Sequence, residues 1–125
     1  MPETRGPRIG AAVRRGAALL EARRFHAAHE AFEEGWRLAS GEVRTLLQAL
    51  VQLAAACHHL DRGRPGPARK LLARSRLRLQ ALEPATGGLR ADRLLEGLDR
   101  LEAWIGRGNA GPFPVPPVEG SAGSR

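Results

Sequence analysis

Hydrophobic positions recur with a helical period in five stretches of this chain. Ile9, Val13, Ala17 and Leu20 follow at spacings of four, four and three, which predicts an amphipathic helix over about residues 9–22. Arg23 and Arg24 border the next turn. A second helix is predicted from about Phe25 to Ala39, where Ser40-Gly41 offers the permissive backbone that ends many helices. The third, about Glu42 to Arg62, is apolar nearly all round and should be the most buried element. Gly63-Arg64-Pro65-Gly66-Pro67 breaks it. The fourth, about 67–82, puts Ala68, Leu71, Leu72, Ser75, Leu79 and Leu82 on one face. After breaks at Glu83-Pro84 and Gly87-Gly88, a fifth over about 90–106 turns Leu94, Leu95, Leu98, Leu101, Trp104 and Ile105 inward. No alternating run bounded by turn signals suggests a strand, so the class is all-α: a compact bundle of about five mostly antiparallel helices. The expected organisation is one helical domain over 7–107 and a flexible tail over 108–125. That tail, rich in Pro, Gly and Ser, is either mobile or laid over the surface.

Polar residues interrupt the second and third helices at a regular interval. With His29 at zero on a helical wheel, Glu33 falls at about +40° and Trp36 at about −20°. With Gln48 at zero, Arg44 lies near −40°, His59 near +20° and Gln52 near +40°. If the turn at Ser40-Gly41 folds the two helices back on each other, Trp36 meets Arg44, Glu33 meets Gln48 and His29 meets Gln52, with His59 closing the far end. Burying an unpaired polar group costs roughly 1 to 3 kcal/mol, so a layer of this kind needs partners or a ligand.

Composition adds limits to that picture. The chain has 125 residues, enough for one helical core. Its longest apolar run, Leu46 to Cys57, holds two glutamines and is short of the ~20 residues of a membrane span, so a soluble cytoplasmic protein is expected. The lone Cys57 forms no internal disulfide and reads as a small buried hydrophobe. The net charge of +7 comes from arginine, Lys70 being the one lysine, and with abundant Ala and Gly this resembles the codon bias of a GC-rich genome. Arg62, Arg64, Arg69, Lys70, Arg74, Arg76 and Arg78 form an acid-free basic run, read first as a solvated face and second as a nucleic-acid contact.

The polar stripe resembles a known family, the prokaryotic domain-of-unknown-function family 309. Its helix reading HxxxExxW is matched by His29, Glu33 and Trp36, inside a longer pattern that also takes in Phe25 and Glu30. A following RxxxQxxxQ segment is similar to Arg44, Gln48 and Gln52, and the family's later histidine to His59. The resemblance spans about residues 10–80. It departs at Gly63-Arg64 and Pro67-Ala68, where the family often has Gly-Asn and Gly-Ala. An all-helical fold and a shared polar site are implied; no activity comes with them.

Several roles remain open for that layer. The first is a satisfied structural network in which Glu33 pairs with Arg44 or His29. The second is a metal site using His29, Glu33 and His59, although neither a zincin nor a di-iron pattern is complete. The third is a small hydrolase-like enzyme in which His29 and Glu33 act as acid and base, while Trp36, Arg44, Gln48, Gln52 and His59 hold an anionic or amide-bearing ligand. No cofactor is required by the sequence. A different class is a helical adaptor: Leu20, Phe25, Ala28 and Phe32 have tetratricopeptide-like spacing, and Phe113-Pro114-Val115-Pro116-Pro117 is a candidate docking segment. Apolar surface on the outer helices would suit a homodimer.

Overall fold

The computed structural model describes residues 2–108 and 111–120. Five helices follow in order: α1 Pro2–Glu21, α2 Phe25–Leu38, α3 Gly41–Asp61, α4 Pro65–Gln80 and α5 Ala91–Gly106. Each packs chiefly on its neighbours in sequence, α1 on α2, α2 on α3, α3 on α4 and α4 on α5. The all-α class holds. A two-residue hairpin, β1 Ala85–Thr86 and β2 Leu89–Arg90, precedes α5. It turns at Gly87 and Gly88, whose φ of 58° and 79° suit the tight turn of a hairpin. Two residues per strand are too few to show alternation, which is why the sequence suggests only a break there.

α3 is the central element. Its buried positions, including Leu46, Leu47, Leu50, Leu53, Ala54 and Cys57, point in all directions around the helix. Burial pushes the Cys57 thiol up to about 12, so it packs as an inert hydrophobe. One internal polar group on the α4 side is satisfied locally: the buried Ser75 hydroxyl donates to the Ala49 carbonyl at 2.9 Å.

α1 departs from its predicted start. It begins at Pro2, and since residues 5–8 are exposed, no apolar period announces that extension. Its buried edge is also rotated by about one residue. Ala12, Gly16 and Leu20 are buried, whereas Ile9, Val13 and Ala17 are half-buried beside them. Small side chains decide this, because a Cβ on Gly16 would collide with the Phe32 ring. α1 therefore sits close on α2 with Phe32 fully enclosed.

Residues 111–120 run along α5 in place of a sixth helix. Phe113 is buried, with ring centroids 5.4 Å from Phe25 and 5.7 Å from Trp104, and the Arg23 guanidinium lies 4.4 Å from its ring centroid. Arg23 also donates to the Phe113 carbonyl at 3.1 Å. These contacts hold Arg23 in the left-handed region at φ 62°, a conformation costing roughly 1 kcal/mol or more outside glycine. Further on, Pro116 is packed against Gly97, the Arg90 amide donates to Glu119 at 2.9 Å, and Leu89 bridges Gly120. A Pro-rich segment is thus laid over the helices by apolar contacts along its length and by hydrogen bonds at Phe113 and Glu119. The expected flexible tail over 108–125 is, across 111–120, a packed strap, and the rest of it beyond Gly120 lies outside the described residues.

Adding a methyl at Gly97 tests the strap. Its Cβ would stand 2.5 Å from Pro116 Cβ, so Gly97→Ala should destabilise by about 1–3 kcal/mol through overpacking, offset by up to about 1 kcal/mol of helix propensity. Denaturant unfolding in a Trp36→Phe background, with Trp104 emission shifting red as Phe113 withdraws, is the check.

Candidate functional site

The polar stripe separates into two groups at opposite ends of the α2–α3 pair. At the α2–α3 turn, the Arg44 guanidinium stacks 4.2 Å from the Trp36 ring centroid. Gln48, one turn further along α3, lines the same hollow. Arg78 enters from α4, and its Nε donates to Gln52 Oε1 at 3.1 Å. Gln52 is buried, so its carbonyl fixes a guanidinium that would otherwise sweep a large volume. Trp36, Gly41, Arg44, Thr45, Gln48 and Arg78 enclose an open hollow of about 270 Å³. Two cations and no acid line it.

The other group lies at the far end. All four histidines of the chain gather there as a contiguous series: His29 to His26 at 6.3 Å between ring centroids, His26 to His58 at 5.5 Å, and His58 to His59 at 6.2 Å. His59 Nδ1 is buried without a hydrogen-bond partner among the described residues. His26 lies 3.7 Å from Glu30. Burial lowers the His58 pKa below its ordinary value, and the neighbouring His26, Arg62 and His59 lower it further against an opposing pull from Asp61.

Glu33 joins neither group. Its carboxylate accepts from Arg37 at 3.0 Å, one turn along the same helix, and its side chain is 35% exposed. Of the seven stripe residues Gln52 alone is buried, and Arg44 is exposed. A buried polar layer is therefore absent among the described residues, contrary to expectation. The reason is energetic: an ionised carboxylate loses less at the rim, paired to a nearby arginine, than in a sealed layer facing glutamine. Glu ahead of Arg at four residues is a favoured helical pair, and that signal was present in the sequence. The expected metal set fares no better. Among the described residues no three His, Cys, Asp or Glu side chains are grouped so as to hold a metal ion, and Glu33 is turned to Arg37.

Arg78 is the residue that wheel arithmetic on α2 and α3 misses. It lies about 160° around α4 from Arg76, which faces α5 and pairs with Asp99 at 2.7 Å and with Glu102. Splitting the basic run by angle would have separated the two.

Comparison with known proteins bears on the same stretch, which carries the stripe from His29 to His59. Residues 13–71 match the DUF309 family model, a domain of unknown function. No curated protein matches the chain. The DUF309 match takes in the second half of α1, α2, α3, the start of α4 and both polar groups apart from Arg78, which with the strap lies beyond it. No helix among the described residues is long and apolar enough to cross a membrane.

His58 gives a pH prediction. Because its folded-state pKa is lowered from 6.5, the stability tied to its neutral ring is complete above that value and is lost as pH falls through the lowered one. The melting temperature should drop between about pH 7 and about pH 5, and His58→Gln should flatten that drop while leaving the value at neutral pH nearly unchanged. An equal drop in the variant would show that the acid sensitivity comes from elsewhere.

Proposed function

We propose that this protein is an anion-binding domain, and that its site is the hollow at the α2–α3 turn, which takes a phosphate or carboxylate group of its ligand. The observation that carries this reading is the convergence of Arg44 and Arg78 on one acid-free hollow, each held by its own support: Arg44 by the Trp36 ring and Arg78 by Gln52. Guanidinium groups present paired donors that match carboxylate and phosphate oxygens, and fixing them in advance lowers the ordering cost of binding. Gln48 and the Thr45 hydroxyl supply neutral polar contacts at the same rim. His29 and Glu33 do not line this hollow, so the reading assigns them no catalytic part.

Trp36 makes the proposal measurable. In a Trp104→Phe background the remaining indole reports on Arg44, so titration with inorganic phosphate, then with a nucleoside monophosphate, should change its emission saturably. Arg44→Met and Arg78→Met should each weaken binding about tenfold, the scale of one charge-assisted hydrogen bond. Neither anion altering Trp36 emission at low ionic strength would sink the reading.

Gln52 should act through Arg78 alone. Gln52→Leu should weaken anion binding by a smaller factor, about two- to fivefold, with Arg44 stacking intact, as read by unchanged Trp36 emission in the free protein.

A further inference from the structure

A second hollow, of about 370 Å³, adjoins the first along the outer side of α4 and shares Thr45 and Arg78 with it. Arg74, Leu77 and Ala81 complete its lining. On the α4 wheel Lys70, Leu77, Ala81, Arg74 and Arg78 fall within about 100°, opposite the buried Ala68, Leu72, Ser75 and Leu79. Lys70, Arg74 and Arg78 succeed one another at one helical turn, about 6 Å apart along the axis. None of these three, nor Arg44, has a carboxylate partner among the described residues, whereas Arg76 on the opposite side has two. Leu77 is 69% exposed, and no other large hydrophobic residue among the described ones is exposed.

Resting on the anion-site reading above, we infer that the two hollows form one continuous groove for a single-stranded nucleic acid. Arg44, Arg78, Arg74 and Lys70 contact successive phosphates, while the Arg44 guanidinium plane and Leu77 receive bases. Three features select this occupant. The groove is elongated and open, which suits a chain better than a compact molecule. Its cations are arranged in a row without intervening acid, complementary to a polyanion. It also offers the flat face of the Arg44 guanidinium and, beside Arg74 and Arg78, the apolar Leu77, surfaces on which unpaired bases stack and pack. An acidic peptide would use the row of charge but would gain nothing from the stacking plane.

The test is fluorescence anisotropy of a labelled 12-nucleotide single strand against the full chain. Binding at low salt should weaken with a log–log slope of about −3, the value for four phosphate contacts on a single strand. The double variant Lys70→Gln, Arg74→Gln removes two exposed charges that take part in no ion pair among the described residues, and it puts no carboxylate one turn ahead of Arg78. It should lose at least tenfold in oligonucleotide affinity while retaining the response of Trp36 to inorganic phosphate. Leu77→Ser should weaken the oligonucleotide and leave phosphate unaffected. If phosphate still changes Trp36 emission but the oligonucleotide does not bind at low salt, or binds the double variant as well as the parent, the groove inference is overturned and the anion site stands. Polyglutamate competing charge for charge as well as the oligonucleotide would overturn it in favour of an acidic protein partner. Loss of the phosphate response in the parent would overturn both.

Discussion

Burial of α3 on nearly every side is the constraint around which the molecule is arranged. A helix apolar all round has to be covered by α2, by α4 and by whatever reaches its ends, and Leu46, Leu47, Leu50, Leu53 and Cys57 are almost fully enclosed as a result. Each fully buried aliphatic side chain contributes about 1.5–3 kcal/mol, so this one helix carries a large share of the driving force. Polar residues on α3 are tolerated only where the covering helices part. Arg44 and Gln48 stand at the α2–α3 turn and His58 and His59 at the opposite end, while Gln52 between them is buried but satisfied by Arg78.

That division gives the two ends of the α2–α3 pair different chemistry. The turn end is cationic and aromatic, with guanidinium groups held at fixed positions. The other end holds four imidazoles, among which burial first, and then the neighbouring His26, Arg62 and His59, favour the neutral form of His58. Nothing polar among the described residues connects the two ends through the core except Gln52. The stripe is continuous on a wheel and discontinuous in space: Glu33 is engaged by Arg37 within α2, Gln52 by Arg78 from α4, and the histidines gather on one another.

The strap over α5 solves a separate problem. Helices that pack mainly on their sequence neighbours leave the first hairpin and α5 to be joined by something else. Phe113 fills that place against Phe25 and Trp104, and Arg23 accepts a left-handed backbone to cap it from above and bond its carbonyl. Gly97 lets Pro116 lie against α5 at backbone distance. A proline-rich segment suits this role, since its stiff, extended backbone loses little entropy on docking.

Five helices, their order and most of their boundaries were legible in the linear pattern, because an apolar period of 3.6 survives whatever the helix packs against. The angular grouping of His29, Glu33, Trp36, Arg44, Gln48, Gln52 and His59 was legible for the same reason. Their contacts were not. A wheel gives the direction in which a side chain leaves the helix, but not how far the partner helix covers that direction or which longer side chain arrives first. Arg37 takes Glu33 from within α2, Arg78 reaches Gln52 from α4 because helical side chains lean toward the N-terminus, and the docking of Phe113 depends on a space formed by the α1–α2 turn, α2 and α5 together. Periodicity is local and is written residue by residue. Burial and partner choice belong to the three-dimensional arrangement, where small residues such as Gly16 and Gly97 set the distances and so decide which polar groups remain at the surface.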